Sequence, residues 1–166
     1  MIAIIDVGYF KTGARSACVV IEDWEDSTPA VEHVSILERV LAYQPGEFYR
    51  RELPCIQAVL SELSQQPDYV VIDGYVWLDD QRTPGLGAHL YSALKQKIPV
   101  IGVAKNSYRH SQHAIKLLRG RSQRALFVTA AGMPAAKAAE FILRMHGDHR
   151  LPTIIKRADQ LSRTAI

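Results

Sequence analysis

The alternation of apolar and polar positions changes its period once along this chain, near residue 48. Ahead of that point the apolar runs are short and rich in β-branched residues. Residues 1–7 form one run, broken by Asp6; residues 16–22 (SACVVIE) and 31–41 form two more, with the polar turn cluster WEDSTP between them. They predict three strands with no intervening helix, an antiparallel meander. Beyond Phe48, the residues Leu53, Ile56, Val59, Leu60 and Leu63 recur at spacings of three and four, which predicts an amphipathic helix ending before Pro67. The compact run at 69–72 (YVVI) is long enough only for a buried strand. A loop, DGYVWLDDQRTP, then leads to a helix over 85–95, a buried strand over 99–104 and a basic, less periodic stretch. A strand over 125–129, a helix over 134–145 and a last helical segment after Pro152 complete the pattern. Three strands followed by alternating helix and strand describe an α/β fold, a mixed sheet with helices on both faces.

Composition narrows this picture only a little. With 48% hydrophobic and 22% charged residues over 166 positions, the chain reads as a single domain able to bury a substantial core. No run approaches the roughly 18 apolar residues that a membrane span needs. The opening MIAIIDVGYF carries an acid and no basic stretch, unlike a secretion signal. Cys18 and Cys55 sit in apolar runs at no metal-binding or pairing spacing, so they read as buried thiols of a reducing, cytoplasmic setting. Charge is more informative. Residues 1–104 hold eight Lys/Arg against fourteen Asp/Glu, a charge of −6, whereas residues 105–166 hold twelve against three, +9. An acidic half beside a basic half suits a site that holds cations in one place and grips a polyanion in another; it equally suits a solvated basic surface.

The acids sharpen the question. Asp6 falls at the end of the first strand and Asp73 directly after YVVI, at the end of the fourth. A carboxylate closing a buried strand needs compensation. If those strands are neighbours, the two acids converge into a hard-oxygen site for magnesium or manganese, with Glu52 completing it from the start of the first helix. Such a site suits phosphodiester hydrolysis, which needs an activated water and charge compensation at the leaving oxygen. Spacing alone leaves the other reading open, with the two aspartates as turn caps and Glu52 as an exposed residue near a helix dipole. On the same basis His89, Lys105 and Tyr43 lean structural.

Ordered motifs tip the balance. Asp6-Val7-Gly8-Tyr9 resembles the DxSY-like opening of the endonuclease V family. Tyr43-Gln44-Pro45-Gly46, with Phe48-Tyr49-Arg50-Arg51-Glu52-Leu53-Pro54, is similar to its YxPG…FRExP segment, and Val71-Ile72-Asp73-Gly74 to its (V/F)DG strand end. Gly85-Leu86-Gly87-Ala88-His89 resembles the GxASH helix, the run from Pro99 to Lys105 resembles PTIGVAK, and His149-Arg150-Leu151-Pro152 with Ala158 resembles the RLPEPTRxA tail. The resemblance spans most of the chain in family order, as one endonuclease V-like domain over 1–166. It implies a ribonuclease H-like fold and a Mg²⁺-dependent endonuclease, with Mn²⁺ as a possible substitute. Such an enzyme cuts DNA or RNA on the 3′ side of inosine, without a membrane or an obligate protein partner. Asp6, Glu52 and Asp73 would be its metal ligands, and Lys105 the positive group near the scissile phosphate. Tyr43, with Pro45 and Gly46, would form the wedge filling the gap left by the displaced base. Gly85 and Gly87 would let the helix N-terminus and backbone amides approach the nucleic acid, with His89, Arg82 and Arg109 contributing to its binding.

Three departures from the family pattern bear on specificity. The loop that usually reads GxxHPR is the longer YVWLDDQRTP, with Asp80 near the histidine position and only Arg82 retained. A GH motif after a later strand is replaced by residues 128–133 (VTAAGM). The stretch after Lys105 is short and rich in His and Arg (RHSQH, LRGRSQR) in place of an extra hairpin, and Arg119, Arg121 and Arg124 read there as possible phosphate contacts. The expectation is a retained cutting site whose specificity for inosine, as against structure-directed cleavage or binding with little catalysis, is open. Asp79 and Asp80 read as loop caps rather than as a second acidic site.

Overall fold

A computed structural model describes residues 1–109 and 111–164. Seven strands form one sheet in the order β3-β2-β1-β4-β5-β7-β6. The opening meander is β1 (Ile2–Tyr9), β2 (Ala14–Ile21) and β3 (Val31–Leu37), paired antiparallel. After helix α1 (Tyr49–Ser61) the chain crosses back to place β4 (Tyr69–Asp73) parallel to β1. Helix α2 (Leu86–Ala93) leads to β5 (Val100–Ala104), parallel to β4. Strands β6 (Ile115–Leu117) and β7 (Leu126–Ala131) extend the sheet antiparallel, followed by helices α3 (Ala135–Arg144) and α4 (Thr153–Arg163).

The strands alternate between two apolar layers. Ile4, Val71, Val103 and Val128 face α3 and α4, whereas Ile5, Ile72 and Val100 face α1 and α2. Helices therefore cover both faces, as the order of predicted elements requires. Two predictions need correction. The third strand stops at Leu37 instead of 41, because its partner β2 begins at Ala14 and the turn preceding it leaves nothing to pair with. The basic stretch after Lys105, read as less periodic and without a strand, contains β6, whose three residues pair with β7. A strand of three residues interrupted by Lys116 is too short to establish a period. No helix is long and apolar enough to cross a membrane among the described residues.

Candidate active site

Register brings the acids together. Ile5 pairs with Ile72 across the parallel β1–β4 ladder, so Asp6 and Asp73 follow at the same level on adjacent strands. Asp73 in turn pairs with Val103, two residues before Lys105. Because side chains alternate, the sequence neighbours Ile4, Val71 and Val103 show that Asp6, Asp73 and Lys105 project on the α4 side. Gly74 follows with φ +125°, a conformation that suits glycine and turns the chain away from the acid. Glu52 arrives from the other layer, on the first turns of α1, and is buried. Asp6, Glu52 and Asp73 line one cavity of about 230 Å³, together with Phe48, Leu86 and Arg163. Lys105 Nζ donates to Asp73 Oδ2 at 3.0 Å.

Helix α4 supplies residues that the motifs did not single out. Asp159 Oδ1 lies 3.6 Å from Lys105 Nζ and 2.8 Å from Arg163 Nη2, yet accepts no hydrogen bond. Ser162 Oγ donates to Asp6 Oδ2 at 2.5 Å. The helix can approach because residue 8 is glycine: a Cβ there would meet the Ser162 carbonyl at 2.4 Å. Arg150, in the RLP block, donates to the carbonyls of Arg124, Ala125 and Lys105, tying the backbone beneath the lysine to the start of β7.

Asp73 and Asp159 thus flank the Lys105 ammonium with Asp6 nearby, and Glu52 neighbours Asp6, Asp73 and Arg51. Burial raises the Glu52 acid to about 8, and the neighbouring charges of Asp6 and Asp73 push the same way. Burial also raises Asp6, reinforced by Asp73 and Asp159 and opposed by the Ser162 hydrogen bond and Lys105. Burial disfavours the charged form of Lys105, but the Asp73 charge and hydrogen bond, with Asp159 and Asp6, outweigh it and hold the amine above its ordinary value. Lys105, Arg163 on Asp159 and Arg51 near Glu52 supply positive charge, yet the Asp6 and Glu52 acids stay raised. The all-oxygen donor set of these acids has the chemistry of a magnesium or manganese site. No three of these groups are close enough to enclose an ion among the described residues, and Lys105 occupies part of the space between Asp73 and Asp159.

The remaining sequence candidates lie elsewhere. Tyr43 is 59% exposed, edge-on to Phe48, in a loop whose Gly46 has φ +81° and which also exposes Pro45. Phe48 reaches the acid cavity, so this loop leads to its mouth. His89 stacks on Tyr49 at 3.5 Å between centroids, and with Arg82 it lines a separate, larger cavity of about 750 Å³ beside Trp77 and Tyr91. No carboxylate lines that cavity, so the greater volume is not where the acids are. Arg109 is exposed, and His110 of the RHSQH run lies outside the described residues.

Gly85 and Gly87 hold the start of α2 against the preceding loop. Their amides donate to the Val76 and Tyr75 carbonyls instead of facing outward. A Cβ at either position would collide with this segment, at 2.7 Å from the Tyr75 carbonyl and 2.5 Å from the Val76 side chain. The glycines serve close packing of α2 against the preceding loop. Arg119 differs from expectation: it is 4% exposed and donates to the Met145, Gly147 and His149 carbonyls. Asp79 caps its loop through the Gln81 and Thr83 amides and the Thr83 hydroxyl.

Comparison with known proteins places this geometry. The family model for endonuclease V matches residues 1–132. An endonuclease V of Rhodospirillum centenum is 30% identical over 185 residues, covering 96% of this chain and 75% of its own. This chain belongs to the endonuclease V family. The endonuclease V structure from Streptomyces avermitilis superposes with a TM-score of 0.77 at 25% identity, covering 98% of this chain and 79% of that one. That of Ciona intestinalis, in complex with a 24mer DNA containing an inosine followed by a ribo-adenosine, gives 0.81 at 20% identity, covering 98% and 84%. The fold is the ribonuclease H-like fold of endonuclease V. Against several curated relatives, endonuclease V proteins of Xanthomonas among them, the chain spans less than half their length, 44%.

Proposed function

We propose that this chain is a Mg²⁺-dependent endonuclease, able to use Mn²⁺, that hydrolyses a phosphodiester bond on the 3′ side of inosine in DNA or RNA. The observation that carries the reading is the meeting of Asp6 and Asp73, on adjacent strands, with Glu52 of α1 around one cavity, and the bond of Lys105 to Asp73. These three acids would hold the metal, with Asp159 a fourth oxygen donor. A divalent ion bound there supplies an activated water and neutralises charge at the leaving oxygen. Lys105, released from Asp73, is the group in reach of a phosphate oxygen and would stabilise the negative charge that builds on it. The exposed ring of Tyr43, beside the cavity mouth, has the size and position of a wedge against a displaced base. We place the enzyme in the cytoplasm, acting without an obligate protein partner.

A second reading, structure-directed cleavage without inosine specificity, is favoured by one observation: the amides of Gly85 and Gly87 are already bonded and do not face outward to read a base. Labelled duplexes and single strands, with and without one inosine, separate the two in Mg²⁺ or Mn²⁺. Cutting displaced to the 3′ side of inosine supports the first reading, and inosine-indifferent cutting supports the second. Binding without cleavage, unaltered in Asp73→Ala, would sink both.

A further inference from the structure

Two of the stretches in which this chain departs from the family pattern are bonded to each other. The loop between β4 and α2 and the loop between β5 and β6 meet at two points. At the first, Tyr75 Oη donates to the Asn106 carbonyl at 2.7 Å and accepts from the Tyr108 amide at 3.1 Å. At the second, the His113 amide donates to Asp80 Oδ1 at 3.0 Å, and His113 Nε2 lies 2.9 Å from the Trp77 carbonyl. Ser111 Oγ adds bonds to both the amide and the carbonyl of Tyr108.

The backbone at Tyr108 is therefore held from several sides, while its side chain is left outside. The residue is 53% exposed, and its ring leans on that of Tyr75 at 6.1 Å between centroids. A large ring presented on so fixed a backbone loses little further freedom when something covers it. Its setting names the class of partner. Lys105, which pairs with Asp73 of the acid cluster, is three residues before Tyr108; exposed Arg109 follows it; and residues 105–166 carry a charge of +9. Cations beside an outward aromatic ring match a strand whose phosphates are anionic and whose bases have flat faces.

We propose that Tyr108, backed by Tyr75, is a stacking site for an unpaired base of the strand that crosses the active site past Lys105. The inference rests on the nuclease reading above and adds a contact to the strand that the family motifs do not assign. Stacking requires the ring and not the hydroxyl, and it tolerates any base.

The test is fluorescence anisotropy with a short fluorescein-labelled single strand, checked to be whole at the end. Ca²⁺ replaces Mg²⁺ as an oxygen-seeking cation that neutralises the acids. Tyr108→Ala should weaken binding about tenfold and Tyr108→Phe should leave it near wild type. In Tyr108→Trp, saturating unlabelled strand should quench the added indole emission, measured against the wild type with its own Trp24 and Trp77. Equal binding by Tyr108→Ala, an equal loss in Tyr108→Phe, or unquenched emission in Tyr108→Trp overturns the proposal. In those cases the nuclease reading stands, because the wild type still binds. A wild type that binds no strand overturns both.

Discussion

The floor of the candidate site and its rim are built on opposite terms. The floor is set by sheet register: Asp6 and Asp73 leave adjacent strands at one level with Lys105 two residues beyond the partner of Asp73, and α4 closes over them with a serine–carboxylate bond and no room for a side chain at Gly8. The rim consists of three loops that expose Tyr43, Arg82 and Tyr108. Two of them, the loops of Arg82 and Tyr108, are also where the sequence leaves the family pattern. A cluster of buried, mutually coupled acids tolerates little change, because each neighbour sets the charge cost of the others. Exposed loops bear no such constraint and vary at little cost in stability. On the nuclease reading proposed above, such a chain would retain the means to cut while altering what it recognises.

The largest separation between floor and rim is in turnover. Asp73→Ala should reduce cleavage by about 10²–10³-fold in single-turnover assays, a loss typical of removing a group that stabilises developing charge. Tyr43→Ala should cost far less and act chiefly on substrate affinity. Comparable losses in the first-order step for both variants would erase the distinction between floor and rim.

The second test concerns the charge stored in the floor. Glu52 has its acid raised from 4.5 to about 8 by burial and by Asp6. A raised folded-state value means that the folded protein binds the proton more tightly than the unfolded chain. The associated stability is complete below about pH 4.5 and is lost as the pH rises toward 8. The metal-free wild type should therefore melt lower at pH 8.5 than at pH 5, and Glu52→Gln should remove most of the Glu52 part of that loss, on the order of 3–5 kcal/mol. Mn²⁺ should restore the wild type at pH 8.5 and do little for the variant. Equal pH slopes for the two proteins would show that Glu52 carries no such strain.

How legible each part was follows from the range of the interactions that define it. Asp6 and Asp73 could be located because each ends a short apolar run, and the neighbourhood of those two runs was the one step that spacing could not supply. Glu52 depended on its motif, since an acid early in an amphipathic helix is ordinarily exposed. Asp159 was one residue beyond the last matched position, Ala158, so a signal existed; its approach to Lys105 depends on α4 folding back over β1, which periodicity does not encode. Ser162 had no signal at all. Gly85 and Gly87 were assigned to ligand approach because glycine allows any close contact, whether with a phosphate or, as here, with a neighbouring loop.

Ser162 gives a smaller effect and tests whether α4 belongs to the floor. Its hydroxyl orients Asp6, and losing a partner of that kind typically weakens metal binding by about tenfold or more. Ser162→Ala should show that loss in a Mn²⁺ titration followed by electron paramagnetic resonance, with turnover at saturating metal close to wild type. An unchanged Mn²⁺ affinity would leave the hydroxyl as a packing feature only.

The smallest effect lies in the arginines of the LRGRSQR stretch, which look interchangeable in sequence and are not. Arg121 is exposed, whereas Arg119 is buried with its guanidinium holding the carbonyls of Met145, Gly147 and His149. If Arg121 meets a phosphate, Arg121→Ala should lower the slope of log affinity against log salt by about 0.7–0.9, the share of one contact, and leave the melting temperature alone. Arg119→Ala should do the reverse, lowering the melting temperature by stranding buried carbonyls while the salt slope of the folded fraction stays put. A changed slope in Arg119→Ala with undiminished stability would move that residue from the interior of the fold to its nucleic-acid face.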